Sequence, residues 1–369
     1  MSLVLAFDCR PMLSRPTGVG VYVASLLSSL ATLDRENRYL LFSSSLRERF
    51  DRETARGFAD SKIRDWRIPV RALNFLWHRL GFPPVEAIFG ERIDIAHSPH
   101  PLILPARKAK RIVTIHDLFF LTHPELVERE MATDYPRLVR DHARRADGVI
   151  TVSEYSKREI VERLGVDEAK VEVIYHGGLL AQAPPIAPES ARDTILFVGR
   201  VEHRKNVVNL LRAFARLKHL GARLRIVGPP GAGYEESRSV CTSLGLDTAV
   251  DFAGYESGAA LEAEYARARV FAFPSLCEGF GLPLLDAMRR GIPIAASNAT
   301  AIPEVAGDAA LHFDPLNPVE MATAIERVWS DEELRARLRS AGETRVQAYS
   351  WNESARRTLA FYRRVVAEA

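Results

Sequence analysis

Cysteine is scarce in this chain, and what there is stands scattered. Cys9, Cys241 and Cys277 form no CxxC pair and no metal-ligand spacing within 369 residues, which excludes a disulfide framework and a zinc site as expectations. An odd, sparse set reads as core thiols in a reducing compartment; Cys277, beside Glu278, reads as a packed small hydrophobe or as part of a site lining. No apolar run approaches the roughly 20 residues that span a bilayer. The opening "MSLVLAFDCR" has too short an apolar stretch, and no basic region ahead of it, for a signal peptide. A soluble, cytoplasmic chain is the expectation. A surplus of one charge is lacking too: 50 Lys and Arg face 47 Asp and Glu, a balance that argues against nucleic acid as partner. The basic clusters "PARKAKR" (105–111) and "RDHARR" (140–145) are local and read as solvated faces or contacts for an acidic partner. No DxD occurs, and no His, Cys or carboxylate cluster has metal spacing, so neither a catalytic metal nor a cofactor is expected. Glycine falls short at one telling place. "PTGVGVY" (16–22) supplies Gly18 and Gly20, but Val23 stands where a dinucleotide fingerprint needs its third glycine, which argues against an oxidoreductase.

What the sequence does contain is alternation. Short apolar runs read as strands: 3–7, 39–43, 93–98, 112–115, 148–153 and 171–175, then 194–199, 224–228, 250–254, 270–274 and 292–297. Several are apolar at nearly every position, as suits strands buried on both faces of a parallel sheet. Between them lie helical stripes such as Val23, Leu26, Leu27 and Leu30, or Val207, Leu210, Leu211 and Phe214. The class is α/β with two doubly wound domains. Prolines in "LLAQAPPIAPESARD" (179–193) suggest the linker, dividing residues 1–185 from 186–349. Ser350 and Glu353 have capping-box spacing ahead of a last helix whose apolar face holds Trp351, Ala355, Leu359 and Tyr362. Such a helix must pack on one domain or the other.

Doubly wound domains carry ligands at the carboxyl ends of their strands, so the residues just after strands are the candidates. "EGFGLPLLDAM" (278–288) follows the strand 270–274. Glu278 opens it, Gly279 and Gly281 allow close backbone approach, and Pro283 suits the first turn of a helix stopped by Gly291. Free amides and partial positive charge at that helix start suit phosphate. Asp286 reads either as a ligand-binding acid or as a first-turn acid favouring the dipole. In "VGRVEHRKN" (198–206), Arg200 and Lys205 flank the turn after another strand, where two cations would neutralise a diphosphate. Gly18 and Gly20, before a helix, would let the chain approach phosphate or sugar. His116 follows the strand 112–115; it reads as a group that bonds a sugar hydroxyl or moves a proton, or as a satisfied loop histidine oriented by Asp117.

Together these pieces resemble the retaining GT-B glycosyltransferases of group 1, glycosyltransferase family 4. The glycine loop, "HD" after a strand, "TVSEYSK" (151–157), "GR…K", the acidic 278–286 region and "PEVAGDAAL" (303–311) occur in the family's order across nearly the whole chain. "HSPH" (97–100) and "GPPGAGYEE" (228–236) look more like the bacterial mannosyltransferase and rhamnosyltransferase branches than the glycogen synthases. The resemblance implies two Rossmann-like domains facing across a cleft, an N-terminal acceptor domain and a C-terminal donor domain. The helix 350–369 would pack back on the first. It implies that Glu278 holds donor sugar hydroxyls and that amides around Phe280, Gly281 and Leu282 face the donor. Arg200 and Lys205 would bind the diphosphate, and His116 the transferred sugar. Asp286 would grip the ribose, although the family usually has Glu there. The base would rest on backbone near Gly254 and Tyr255.

The implied activity is transfer of a hexose, by preference mannose from GDP-mannose, to a glycan or lipid-linked glycan, with retained configuration and no metal. Cations and amides would stabilise the departing diphosphate, and closure of the domains would exclude water. Paired carboxylates can also make a hydrolase dyad, but the second is better placed on a helix to bind ribose. A UDP-sugar donor, a nucleotide-sugar epimerase or hydrolase, and a non-catalytic carbohydrate- or nucleotide-binding scaffold remain alternatives. "RDWRIPVRALNFLWHRLGF" (64–82) interleaves arginines with Trp66, Phe75, Trp77 and Phe82. It reads as a peripheral membrane contact or as a helix packed by its aromatics.

Overall fold

Strand runs too short to be helices and apolar on both faces assemble, in the computed structural model, into two all-parallel sheets. Residues 2–13, 18–51, 53–127, 129–178 and 192–368 are described; the linker expected at 179–193 lies, as far as residue 191, outside them. The chain divides into two compact units, Met1–Gly177 with Ser350–Ala369, and Gly178–Tyr349.

The first unit holds β1 (Val4–Asp8), β2 (Arg38–Ser44), β3 (Ser61–Trp66), β4 (Ile95–Ser98), β5 (Lys110–Ile115), β6 (Gly148–Thr151) and β7 (Val171–Val173). They form a seven-stranded sheet in the order β3-β2-β1-β4-β5-β6-β7. The second unit holds β8 (Thr194–Val198), β9 (Arg223–Val227), β10 (Val250–Gly254), β11 (Ala268–Phe273), β12 (Ile294–Ser297) and β13 (Ala310–Phe313). Its six strands run β10-β9-β8-β11-β12-β13. In each unit the order reverses beside the first strand, and such a reversal opens a crevice at the carboxyl ends.

β3 and β13 match no strand expected from the sequence. Both are edge strands, and both mix apolar with polar residues: every residue of β3 is only half-buried. A pattern tuned to strands covered on both faces cannot see them. Consequently the stretch 64–82 is no single helix. It leaves β3, forms the helix Val70–Phe75 and closes in a wider π-type turn, Leu76–Leu80.

The helix stripes fall where the periodicity puts them. Val23, Leu26, Leu27 and Leu30 are buried against β1 and β2, and Val207, Leu210, Leu211 and Phe214 against the second sheet. One expectation shifts: Gly18 and Gly20 lie inside the first turn of the helix Gly18–Leu33, not ahead of it. The last helix, Trp351–Ala367, packs in the first unit's core through Ala355, Phe361, Tyr362 and Val365. Ser350 precedes it, but its side chain makes no cap hydrogen bond, and Glu353 turns to Arg356 instead.

Candidate active site

β8 and β11 are neighbours at the strand-order reversal of the second unit, so the loops that follow them meet. Asn206 ties them. It sits in the left-handed region at φ 59, which Asn tolerates better than most residues, and its side-chain amide donates to the carbonyls of Pro274 at 3.0 Å and Pro315 at 2.7 Å. The Leu276 amide donates to Arg204 O at 2.8 Å. These bonds bring the turn His203–Lys205 onto Glu278.

Glu278 is 6% exposed and Lys205 7%. The Lys205 ammonium donates to Glu278 Oε1, and Arg204 reaches Glu278 Oε2 at 3.2 Å while also pairing with Glu202 at 3.0 Å. Burial raises the Glu278 carboxyl's pKa, but Lys205 and then Arg204 outweigh it, and the net shift is downward, so the group is ionised at neutral pH. Burial, then the Arg204 charge, lower the Lys205 ammonium, with Glu278 opposing. A buried ammonium and a half-buried guanidinium thus share one carboxylate. The Glu278 amide donates to Thr300 Oγ1 at 3.0 Å, and Thr300 itself has φ 58. A β-branched residue held there is backbone strain located at the candidate site.

The resemblance pairs Arg200 with Lys205 on the diphosphate. The structure separates them. Lys205 is buried on Glu278, whereas the Arg200 side chain is 54% exposed, with Nε 3.3 Å from Glu202. Arg204, not singled out from the sequence, occupies the second position on Glu278. Its signal was the consecutive "HRK", in which a tight turn aims neighbours differently. Thr300 left no local signal, since it lies 22 residues from the amide it receives.

Gly281 caps the helix Leu282–Arg289 at φ 98, and a Cβ there would sit 3.0 Å from Leu284 Cδ1. Glycine is needed for this turn. The Phe280 ring is buried edge-on against Tyr349, so only its backbone can serve a ligand. Cys277 is buried and offers its carbonyl to Arg204, as a packed residue would. Asp286 is 1% exposed, with Oδ1 3.8 Å from Arg290; Arg290 is also held by Glu262 at 2.7 Å and lies over the Tyr265 ring. Gly254, at the end of β10, accepts the Gly228 amide at 2.7 Å, and Tyr255 is exposed beside it. Among the described residues, no group of three or more His, Cys, Asp or Glu is placed to hold a metal ion, and no helix is long and apolar enough to cross a membrane.

In the first unit, His116 follows β5. Its Nε2 lies 3.2 Å from the Pro99 carbonyl; a carbonyl only accepts, so Nε2 carries the proton and Nδ1 has a lone pair to offer. Asp117 Oδ1 accepts the Phe119 amide at 3.2 Å, and no hydrogen bond joins Asp117 to this ring among the described residues. Burial lowers the His116 pKa to about 4, leaving a neutral acceptor at physiological pH. At the carboxyl ends of β1 and β4, buried Asp8 binds Arg10 at 2.7 Å and His100 at 3.0 Å.

Burial likewise lowers His97 to about 3, His142 to about 4, and His176 well below the ordinary range. The sign follows from linkage. The unfolded chain protonates near pH 6.5 while these buried rings stay neutral, so acid favours unfolding. Stability of the first unit should fall between about pH 6.5 and 4, by about 1.4 kcal/mol per pH unit for each ring that stays neutral. Urea unfolding followed at pH 7.5 and 5 checks this; an unchanged midpoint would count against the buried neutral rings.

Comparison with known sequences and structures fits this arrangement. The family model described as "Glycosyl transferases group 1" matches residues 182–345, and that of "Glycosyltransferase Family 4" matches 16–177. The fold is GT-B, two Rossmann-like α/β domains. The chain belongs to the group 1 glycosyltransferases. It is 28% identical over 283 residues to O-antigen chain mannosyltransferase B of Escherichia coli, covering 73% of this chain and 74% of that one. It is 31% identical to the MMP alpha-(1->4)-mannosyltransferase of Mycolicibacterium hassiacum, covering 69% and 66%. Among solved structures, sucrose-phosphate synthase from Thermosynechococcus elongatus superposes with a TM-score of 0.81 at 20% identity over both whole chains. Anabaena HepE, in complex with UDP and glucose, gives 0.72 at 18% over 98% and 99%.

Proposed function

We propose that this glycosyltransferase moves a hexose, mannose from GDP-mannose by preference, from a nucleotide diphosphate to a glycan or lipid-linked glycan acceptor, retaining configuration and using no metal. The observation that carries the reading is the buried, ionised Glu278 held by Lys205 and Arg204 at the β8/β11 reversal, beside a glycine-capped helix start. A rigid carboxylate there suits sugar hydroxyls, and ammonium, exposed Arg200 and helix amides suit a diphosphate.

In this reading the bond from the sugar's anomeric carbon to the diphosphate breaks, and its electron pair leaves with the phosphate. The acceptor hydroxyl forms the new bond on the same face and gives its proton to the departing phosphate oxygen. Lys205, Arg200 and the amides of 280–282 stabilise that charge in the transition state. His116, neutral with Nδ1 open as an acceptor, receives a hydroxyl hydrogen of the transferred sugar. Backbone at Gly254 and Tyr255 holds the base. The mannose preference rests on the two mannosyltransferase relatives.

Thermal shift with a panel of nucleotide-sugars tests the donor. GDP-mannose should raise the midpoint; a response confined to UDP compounds would replace the mannose assignment with a UDP-sugar. Asp286 is assigned to the ribose. Asp286→Asn should raise KM for the donor about tenfold, the worth of one charged hydrogen bond, with kcat little changed. An unaltered KM would make Asp286 only a partner of Arg290.

A further inference from the structure

Glu202, in the turn after β8, plays no part in the transfer set out above, yet it stands between two of the arginines. Its Oε1 lies 3.3 Å from Arg200 Nε, and its Oε2 accepts from Arg204 Nε at 3.0 Å. Each guanidinium is therefore met at Nε. Arg204 turns its Nη1 to Glu278 Oε2 at 3.2 Å. Arg200 enters no other ion pair among the described residues, so its Nη groups stay open to a ligand. A guanidinium is a rigid planar fork, and fixing its Nε fixes where the remaining N–H groups point.

The surrounding backbone holds the carboxylate in turn. The Glu202 amide donates to the Arg200 carbonyl, and the Glu202 carbonyl accepts the Lys205 amide, each at 2.9 Å. The loop after β9 presses on the same turn. There the Val201 amide donates to the Pro229 carbonyl at 3.1 Å, and a Cβ on Gly228 would collide with the Gly199 carbonyl. A Cβ on Gly231 would fall 2.8 Å from Glu202 Cγ and 2.9 Å from Arg200 Nε. Glycine at 231 is what leaves room for the pair.

Charge alone gives this acid a poor place. Arg200, Arg204 and Lys205 face Glu202 and Glu278, three cations against two anions. Without Glu202 the cluster would carry one more positive charge and attract a diphosphate more strongly. An acid kept there either relieves repulsion among the cations or orients them. Contact with the Nε of both arginines favours orientation, since it leaves their outer edges unblocked.

We propose, on the diphosphate reading of Arg200 given above, that Glu202 is a positioning residue for sugar transfer. It holds both arginines by Nε, so that Arg200 presents its Nη groups to the departing diphosphate and Arg204 keeps Glu278 in place.

The test is a mutant cycle in the full chain. Turnover is read as nucleoside diphosphate released from GDP-mannose, or from UDP-glucose if that is the donor that raises the midpoint. Glu202→Ala should lower kcat about tenfold, the worth of one charge-assisted hydrogen bond. Glu202→Gln, which keeps an oxygen for one arginine, should recover part of the loss. In an Arg200→Met background Glu202→Ala should cost only about threefold, because coupled residues are not additive. Gly231→Ala, which pushes the same carboxylate aside without removing its charge, should also slow turnover.

Turnover by Glu202→Ala at or above the parent's rate, with Arg200→Met impaired, would overturn the inference alone and leave Glu202 a mere counter-charge. Full additivity in the cycle would do the same. Should Glu202→Ala also lose its unfolding midpoint, undiminished turnover by Gly231→Ala would overturn the positioning role. Arg200→Met with unchanged turnover would instead overturn the diphosphate reading, and the inference with it.

Discussion

Lys205→Met should sharply reduce sugar transfer and, at the same time, lower the stability of the C-terminal unit by about 3 kcal/mol, the lower end of the range for breaking a buried ion pair. The lower end applies because Arg204 remains 3.2 Å from Glu278. Loss of one preorganised cation should cost roughly 10²–10³ in kcat. Stability and chemistry separate in the double variant. Lys205→Met with Glu278→Leu removes both charges together, and replacing a buried pair by apolar groups is often neutral. Denaturant midpoints should therefore recover most of the loss, while transfer measured with a nucleotide-sugar and acceptor stays at or below the single variant's level. Transfer restored in the double variant would show that the pair only supports the fold.

Removing residues 350–369 should unfold the N-terminal unit. The helix Trp351–Ala367 buries Phe361, Tyr362 and Val365 in that unit's core, each worth about 1.5–3 kcal/mol. Their sum rivals the roughly 5–15 kcal/mol by which a whole domain is stable. Polar ties go with them: Tyr362 Oη to His97 Nδ1 at 2.5 Å, and Arg357 and Arg364 to Glu172 at 2.9 Å each. Phe361 also approaches Gly148 so closely that a Cβ there would lie 2.7 Å from its ring. Amide exchange should show β1 and β2 unprotected in the truncated protein, with β8 and β11 still protected. Native protection throughout would make the helix an accessory.

The strands after which the candidate residues lie were legible because a doubly covered parallel strand leaves an unbroken apolar run, and such runs need no knowledge of neighbours. β3 and β13 were not, since half-buried positions, all of β3 and Leu311 and His312 in β13, break the apolar run. Glu278 was legible for a related reason: an acid among glycines after a strand has no local structural use. Arg204 was missed because three consecutive basic residues look alike until a turn assigns each a direction. Gly18 and Gly20 were misplaced by a helix that begins earlier than a glycine pair suggests.

Local pattern alone settled the layered α/β class, the helix stripes and the glycine-capped helix after Glu278. Each depends on residues within a turn or two of one another, where sterics and burial act through short spacings. Which cation touches which carboxylate was decided only in three dimensions. Glu278 meets Lys205 across 73 positions, and Trp66 and Trp77 turn inward while Phe75 turns outward. Pairings of that kind follow from how strands order themselves in a sheet, and a pattern along the chain carries no record of that order.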